Sequence, residues 1–123
     1  MNNNDLKFSF EEIDNLKWRV LWSKVEFTNL MQSWDYGELK KLQGWQPKRF
    51  LLKDNNGSEW GLLQVLVRSI PFLGGLVRIN RGPILFDKQK NSDSSNNIKS
   101  NIFLAIRELA FTNRWWYVSI APE

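Results

Sequence analysis

Apolar positions along this chain change their period several times, and each change marks an element. Over residues 7–13, Phe8 and Phe10 alternate with polar neighbours, which predicts a short, half-buried strand. Ser9-x-x-Glu12 also has the form of a helix capping box, but Phe-Ser-Phe favours extended backbone. Over residues 14–25, Leu16, Trp18, Val20, Leu21, Trp22 and Val25 recur at helical spacing. A helix capped by Asp14 and buried along a broad apolar stripe is expected there. Residues 27–31 are a connector. Ser33 then caps a second helix over residues 34–42, which Gly44 terminates.

Two strands follow, residues 48–54 and 58–70, around Asn55-Asn56-Gly57, a turn that calls for positive φ and so specifies a β-hairpin. The second strand is apolar on both faces and therefore central, with Gln64 and Arg68 as exceptions on a shared face. Pro71 ends it, residues 72–75 form a loop, and residues 76–80 are a third strand with Arg78 opposed to Val77 and Ile79. Arg81-Gly82-Pro83 is a tight bend. It sets a guanidinium beside backbone amides able to hold an anion, although Arg next to Gly-Pro is more often a plain surface turn. Residues 87–97, rich in Asn and Ser, read as a mobile loop. A helix over residues 98–112 carries Ile102, Ala105, Ile106, Leu109 and Ala110 on one face, and a strand from Arg114 to Ile120 closes the chain. The order is β-α-α-β-β-β-α-β, an α/β mixed sheet with helices on both faces.

Composition narrows the chemistry. With 123 residues the chain holds one domain at most, and 42% hydrophobic residues are enough to pack a core. Seven Trp are explained more economically by a Trp-rich core than by seven ligand contacts. Cys and His are absent, which excludes disulfides, thiolate nucleophiles, Cys/His zinc sites and an imidazole base. No catalytic residue and no metal ligand set can be named, and no cofactor is expected. The N-terminus lacks a signal-peptide core and no apolar run approaches a membrane span, so a cytoplasmic protein is expected.

Charge is uneven. Residues 1–38 carry 4 Lys/Arg against 7 Asp/Glu, residues 39–81 carry 8 against 2, and residues 82–123 carry 5 against 4. The basic middle points to a polyanionic partner, or equally to an ordinary solvated face. Lys40 and Lys41 fall in the last turn of the second helix, where they complement its dipole.

Gln32-Ser33-Trp34-Asp35-Tyr36-Gly37-Glu38-Leu39-Lys40, then Gly44-Trp45, the hairpin, and Asn80-Arg81-Gly82-Pro83-Ile84-Leu85-Phe86-Asp87 together resemble the FemABX peptidyltransferase family over about residues 18–123. Members show a Gln-Ser-Trp-aromatic-Gly-x-x-Lys…Gly-Trp segment and later an Arg-Gly-Pro corner in the same order. The resemblance implies an N-acetyltransferase-like (GNAT-like) fold, present here as the N-terminal portion of a larger enzyme. It fits the lack of an acetyl-CoA pyrophosphate loop. It also implies transfer of an amino acid from aminoacyl-tRNA to the stem peptide of a nucleotide- or lipid-linked peptidoglycan precursor. Lys40 matches a family lysine that contacts the precursor, and Trp116 sits where an aromatic lines its groove; Arg81 joins them as a substrate-binding candidate. Ala121 departs from the family, which commonly has Asp before Pro-Glu. The last strand leaves an apolar edge through which the chain could associate. The alternative is a non-catalytic nucleic-acid- or protein-binding module in which Trp45, Trp60 and Trp116 stack bases from one exposed face.

Overall fold

The computed structural model describes residues 6–25, 30–72, 74–80, 82–86 and 96–121. Strand β1 (Phe8–Glu12) leads into helix α1 (Asn15–Trp22), where Asp14 accepts a hydrogen bond from the Lys17 amide at 2.9 Å. Helix α2 (Trp34–Lys40) passes into a 3-10 turn over Lys41–Gln43, and Gly44 ends it with φ of 88°. Strands β2 (Gln46–Asp54), β3 (Glu59–Ile70) and β4 (Gly74–Asn80) follow, then the two-residue β5 (Ile84–Leu85). Helix α3 (Asn96–Thr112) and strand β6 (Trp115–Ala121) complete the described chain.

The sheet order is β1-β2-β3-β4-β6, with β5 pairing onto β3. All pairs are antiparallel except β4 with β6, which run parallel across the α3 crossover. The predicted hairpin is present. Asp54 organises its turn, accepting from the amides of Asn56 at 2.8 Å and Ser58 at 3.0 Å and from Trp60 Nε1 at 2.9 Å.

Alternation along the strands builds two cores. On one face Phe50, Leu52, Leu63, Val65, Val67, Val77 and Ile79 meet Ile98, Ile102, Ala105, Ile106 and Ala110 of α3. On the other, Leu51, Leu62 and Ile84 meet Trp18 and Leu21 of α1, with Val25 and Phe86. Each of the larger aliphatic and Phe side chains contributes roughly 1.5–3 kcal/mol on burial, so β3, buried on both faces, anchors the fold.

The expected wide burial of α1 is corrected: Trp18 and Leu21 are buried, but Leu16 and Val20 lie exposed on its outer side. One sheet face offers a short helix only one apolar side, and the stripe was wider than that contact. Gly74 and Gly75, read as loop, begin β4. Of the loop read over residues 87–97, residues 87–95 lie outside the described residues, and Asn96 and Asn97 open α3.

Candidate functional site

Helix α2 is seated on the sheet by polar side chains. Ser33 caps it, its Oγ accepting from the Tyr36 amide at 3.1 Å, while the Ser33 carbonyl accepts from Gln64 Nε2 at 2.8 Å. Arg49 rises from β2 beneath the helix, its guanidinium 3.6 Å from the centre of the Trp34 ring. Its Nε donates to Gln64 Oε1 at 2.8 Å and its Nη2 to the Trp34 carbonyl at 2.9 Å. Glu38 completes the set, with Oε2 at 3.4 Å from Arg49 Nη2. Burial lowers the Arg49 pKa and the Glu38 carboxylate opposes that shift. Gly37 lies over Gln64 and Arg49 with no room for a Cβ.

A second polar device holds the corner after β4. The β3–β4 ladder ends at the pair Leu66 and Arg78, and beyond it the side chain of Gln32 fills the gap. Gln32 Nε2 donates to the carbonyls of Gln64 at 3.1 Å and Asn80 at 2.7 Å, and its Oε1 accepts from the Gln64 amide at 2.8 Å. Three backbone groups of parting strands are thereby satisfied by one buried carboxamide. Gly82 packs against that carboxamide, and the chain turns through Pro83 to lay β5 on β3. The motif residues Gln32, Ser33, Trp34, Gly37 and Gly82 thus form one interlocked structural unit.

Ion pairing consumes much of the basic middle. Lys53 pairs with Glu11 at 2.9 Å, Lys48 with Glu12 at 3.9 Å, and Lys41 with Glu38 at 2.9 Å. Acids from the N-terminal segment therefore neutralise bases of β2 and α2, and the asymmetry along the sequence partly cancels in space.

Two of the remaining bases, Lys40 and Arg68, meet past the end of α2. Lys40 Nζ donates to Gln43 Oε1 at 3.0 Å and lies 5.3 Å from the Tyr36 ring centre. The Gln43 carbonyl accepts from Arg68 Nη2 at 2.6 Å, and the Arg68 guanidinium lies 4.4 Å from the Trp45 ring centre. Lys40, Gln43, Arg68 and Trp45 are thus connected. Val77 and Ile79 pack toward α3, so Leu76 and Arg78 face the α2 side, where Leu76 is opposite Arg68. Arg78 is exposed and pairs across β6 with Ser119. Two cations beside aromatic rings, Lys40 and Arg68, suit a phosphate-bearing ligand. Among the described residues no group of carboxylates could hold a metal ion.

Of the predicted site residues, Lys40 belongs to this connected set. Trp116 is 63% exposed on β6; Gly75 pairs with Trp115 and Leu76 with Tyr117, so Trp116 is the extra residue between two pairs. The interactions of Lys40 are with Tyr36 and Gln43, and none among the described residues joins it to Trp116. Arg81 lies outside the described residues. Arg68 and Arg78 were not singled out from the sequence as site residues, although the shared face of Gln64 and Arg68 and the opposition of Arg78 to Val77 were the available signals; Trp45 was named there only as a base-stacking residue. An exposed row of Trp45, Trp60 and Trp116 does not exist: Trp60 is 4% exposed, packed edge-on to Phe8 with ring centres 5.0 Å apart.

Element order, the parallel β4–β6 pair and the helices on both faces define a mixed α/β unit whose fold is like that of part of FemX. Among solved structures the chain is similar to FemX, with 21% identity and a TM-score of 0.60 over 91% of this chain and 26% of FemX. It spans about a quarter of the FemX length. Also similar are a putative acetyl transferase from Pyrococcus furiosus (14% identity, TM-score 0.44, 95% of this chain and 83% of that one) and an acetyltransferase from Trypanosoma brucei (12%, 0.45, 97% and 84%). No protein-family model and no curated protein matches the chain. Among the described residues no helix is long and apolar enough to cross a membrane.

Proposed function

We propose that this chain forms part of the precursor-binding groove of an aminoacyltransferase that builds peptidoglycan cross-bridges in the cytoplasm. In that reading the complete protein takes an amino acid from aminoacyl-tRNA, and the stem-peptide amine attacks its ester carbonyl. The amine nitrogen bonds to the carbonyl carbon, the tetrahedral oxyanion collapses, and the tRNA ribose oxygen leaves as a hydroxyl, taking up the proton that the amine nitrogen gives up. Such a reaction depends on positioning and oxyanion stabilisation and needs no His or Cys nucleophile. The role of this chain is to hold the precursor: Lys40 and Arg81 toward its phosphates, Trp116 along the groove, with Arg68 and Arg78 extending the cationic surface.

The observation that carries the reading is the connected set of Lys40, Gln43 and Arg68 beside Trp45, in a chain whose fold is that of FemX. The test is a thermal-shift titration with the nucleotide-linked muramyl-pentapeptide precursor, on wild type, Lys40→Ala and Arg68→Ala. Wild type should be stabilised, and each variant should bind about tenfold more weakly, the worth of one charge-assisted contact. A flat wild-type titration would remove the precursor from the reading.

A further inference from the structure

The buried polar residues are Gln32, Arg49, Asp54, Gln64 and Asn80, and the side chains of the first four are matched within the fold. Asn80 differs. It ends β4 and is 8% exposed. Its carbonyl accepts from Gln32 Nε2 at 2.7 Å, but among the described residues its carboxamide makes no hydrogen bond. A buried carboxamide without a partner destabilises the native state, and folds rarely leave one so. One that persists calls for a role.

The direction of the side chain follows from the strand. Val77 and Ile79 pack toward α3, so Leu76, Arg78 and Asn80 face the α2 side. Leu76 is opposite Arg68 of the Lys40–Gln43–Arg68 set, and Asn80 stands four residues further, about 13 Å along the sheet. Arg78 lies between them, exposed. At Asn80 the sheet also opens. The β3–β4 ladder has ended and Gln32 fills its gap, while β4 and β6 reach their last pair, Asn80 with Ala121. In open α/β sheets the C-terminal ends of parallel strands are where ligands enter.

We infer that Asn80 binds the stem peptide of the precursor, its Nδ2 donating to the C=O and its Oδ1 accepting from the N–H of one extended peptide residue. A carboxamide presents a donor and an acceptor side by side and carries no charge, which matches peptide backbone and not phosphate. Gln32 shows the same pairing next to it, holding both the N–H and the C=O of Gln64. With the diphosphate seated on Lys40 and Arg68, the sugar that separates diphosphate from peptide carries the peptide along β4 toward Asn80. The inference rests on the precursor reading and deepens it: the groove has a phosphate end and a peptide end.

The test is calorimetric titration of wild type, Asn80→Leu and Asn80→Ala with two ligands, the nucleotide-linked muramyl-pentapeptide and the same nucleotide sugar without its peptide. Wild type should bind the pentapeptide form more tightly. Each variant should bind that form about tenfold more weakly, one to two net hydrogen bonds' worth, and the peptide-free sugar as wild type does. Asn80→Leu replaces the carboxamide by an apolar side chain of similar shape, so its melting temperature should hold or rise. Variants that weaken both ligands equally, or neither, would overturn the inference and leave the precursor reading standing. So would a lower melting temperature for Asn80→Leu, since the carboxamide would then serve the fold. Wild type that binds neither ligand would remove the precursor reading, and this inference with it.

Discussion

The carboxamide of Gln32 lies where a side chain on Gly82 would stand: a Cβ built on that glycine falls 2.7 Å from the Gln32 amide carbon and oxygen. Gly82→Ala must therefore push the amide off the Gln64 and Asn80 carbonyls or move the Pro83 corner. The expected cost is about 1–3 kcal/mol in urea unfolding, typical of overpacking a close contact. Gln32→Ser opens the space and strands three backbone groups, at about 1–3 kcal/mol for each group left unsatisfied. In the Gln32→Ser background Gly82→Ala should be nearly neutral. Additive costs in that cycle would show that the two residues do not share the site.

Arg49 and Lys41 both pair with Glu38, yet they predict different outcomes. Arg49 is 6% exposed and makes its bonds inside the structure, whereas the Lys41 pair is open to solvent. Arg49→Lys keeps the charge but loses the planar fork that reaches Gln64 and the Trp34 carbonyl together, and should cost about 2–4 kcal/mol. Lys41→Ala should cost under about 1 kcal/mol. Equilibrium denaturation of the two variants checks the contrast; similar losses would contradict the burial of Arg49.

These two sites mark the limit of what the sequence displays. The hairpin was legible because Asn55-Asn56-Gly57 specifies its own backbone, and Gly57 indeed has φ of 84°. The buried face of α3 was legible because its period is unbroken over four turns. Gln32 and Arg49 were not, since a polar residue in a helix lead-in or a strand has no periodic signature, and their partners lie 11 to 48 positions away. Arg49 counted as one of the basic residues facing a polyanion, but its guanidinium is spent on the seat of α2. For the same reason the candidate site was half visible. Lys40 was found through a motif, while Arg68 gains its place only when the end of β3 passes beneath Gln43 and Trp45.

Asp54 gives a third outcome. Its carboxylate accepts from two turn amides and from the indole of buried Trp60, joining the local turn to the α3-side core. Asp54→Ala should destabilise by roughly 2–3 kcal/mol and change the near-ultraviolet circular dichroism as Trp60 loses its partner. Asp54→Asn retains acceptor geometry at one oxygen and should recover part of the loss. A variant as stable as wild type would mean that the turn is held by Gly57 alone.

Acid should weaken the seat of α2. A hydrogen bond from Lys41 is the largest cause holding the Glu38 carboxyl below its usual value of 4.5; burial opposes it, and the Arg49 charge adds to it. A carboxylate with a lowered native pKa contributes stability that is complete above 4.5 and disappears as pH falls through the lower native value. Glu38→Gln removes the titration with little change of shape. Wild type should therefore exceed the variant near neutrality by less than about 1 kcal/mol, because both charges are largely solvent-screened. Melting temperatures of the two should converge as the pH drops below the carboxylate range. A gap that widens in acid would reverse the assigned direction of the shift and dissociate Glu38 from the Lys41 and Arg49 pair.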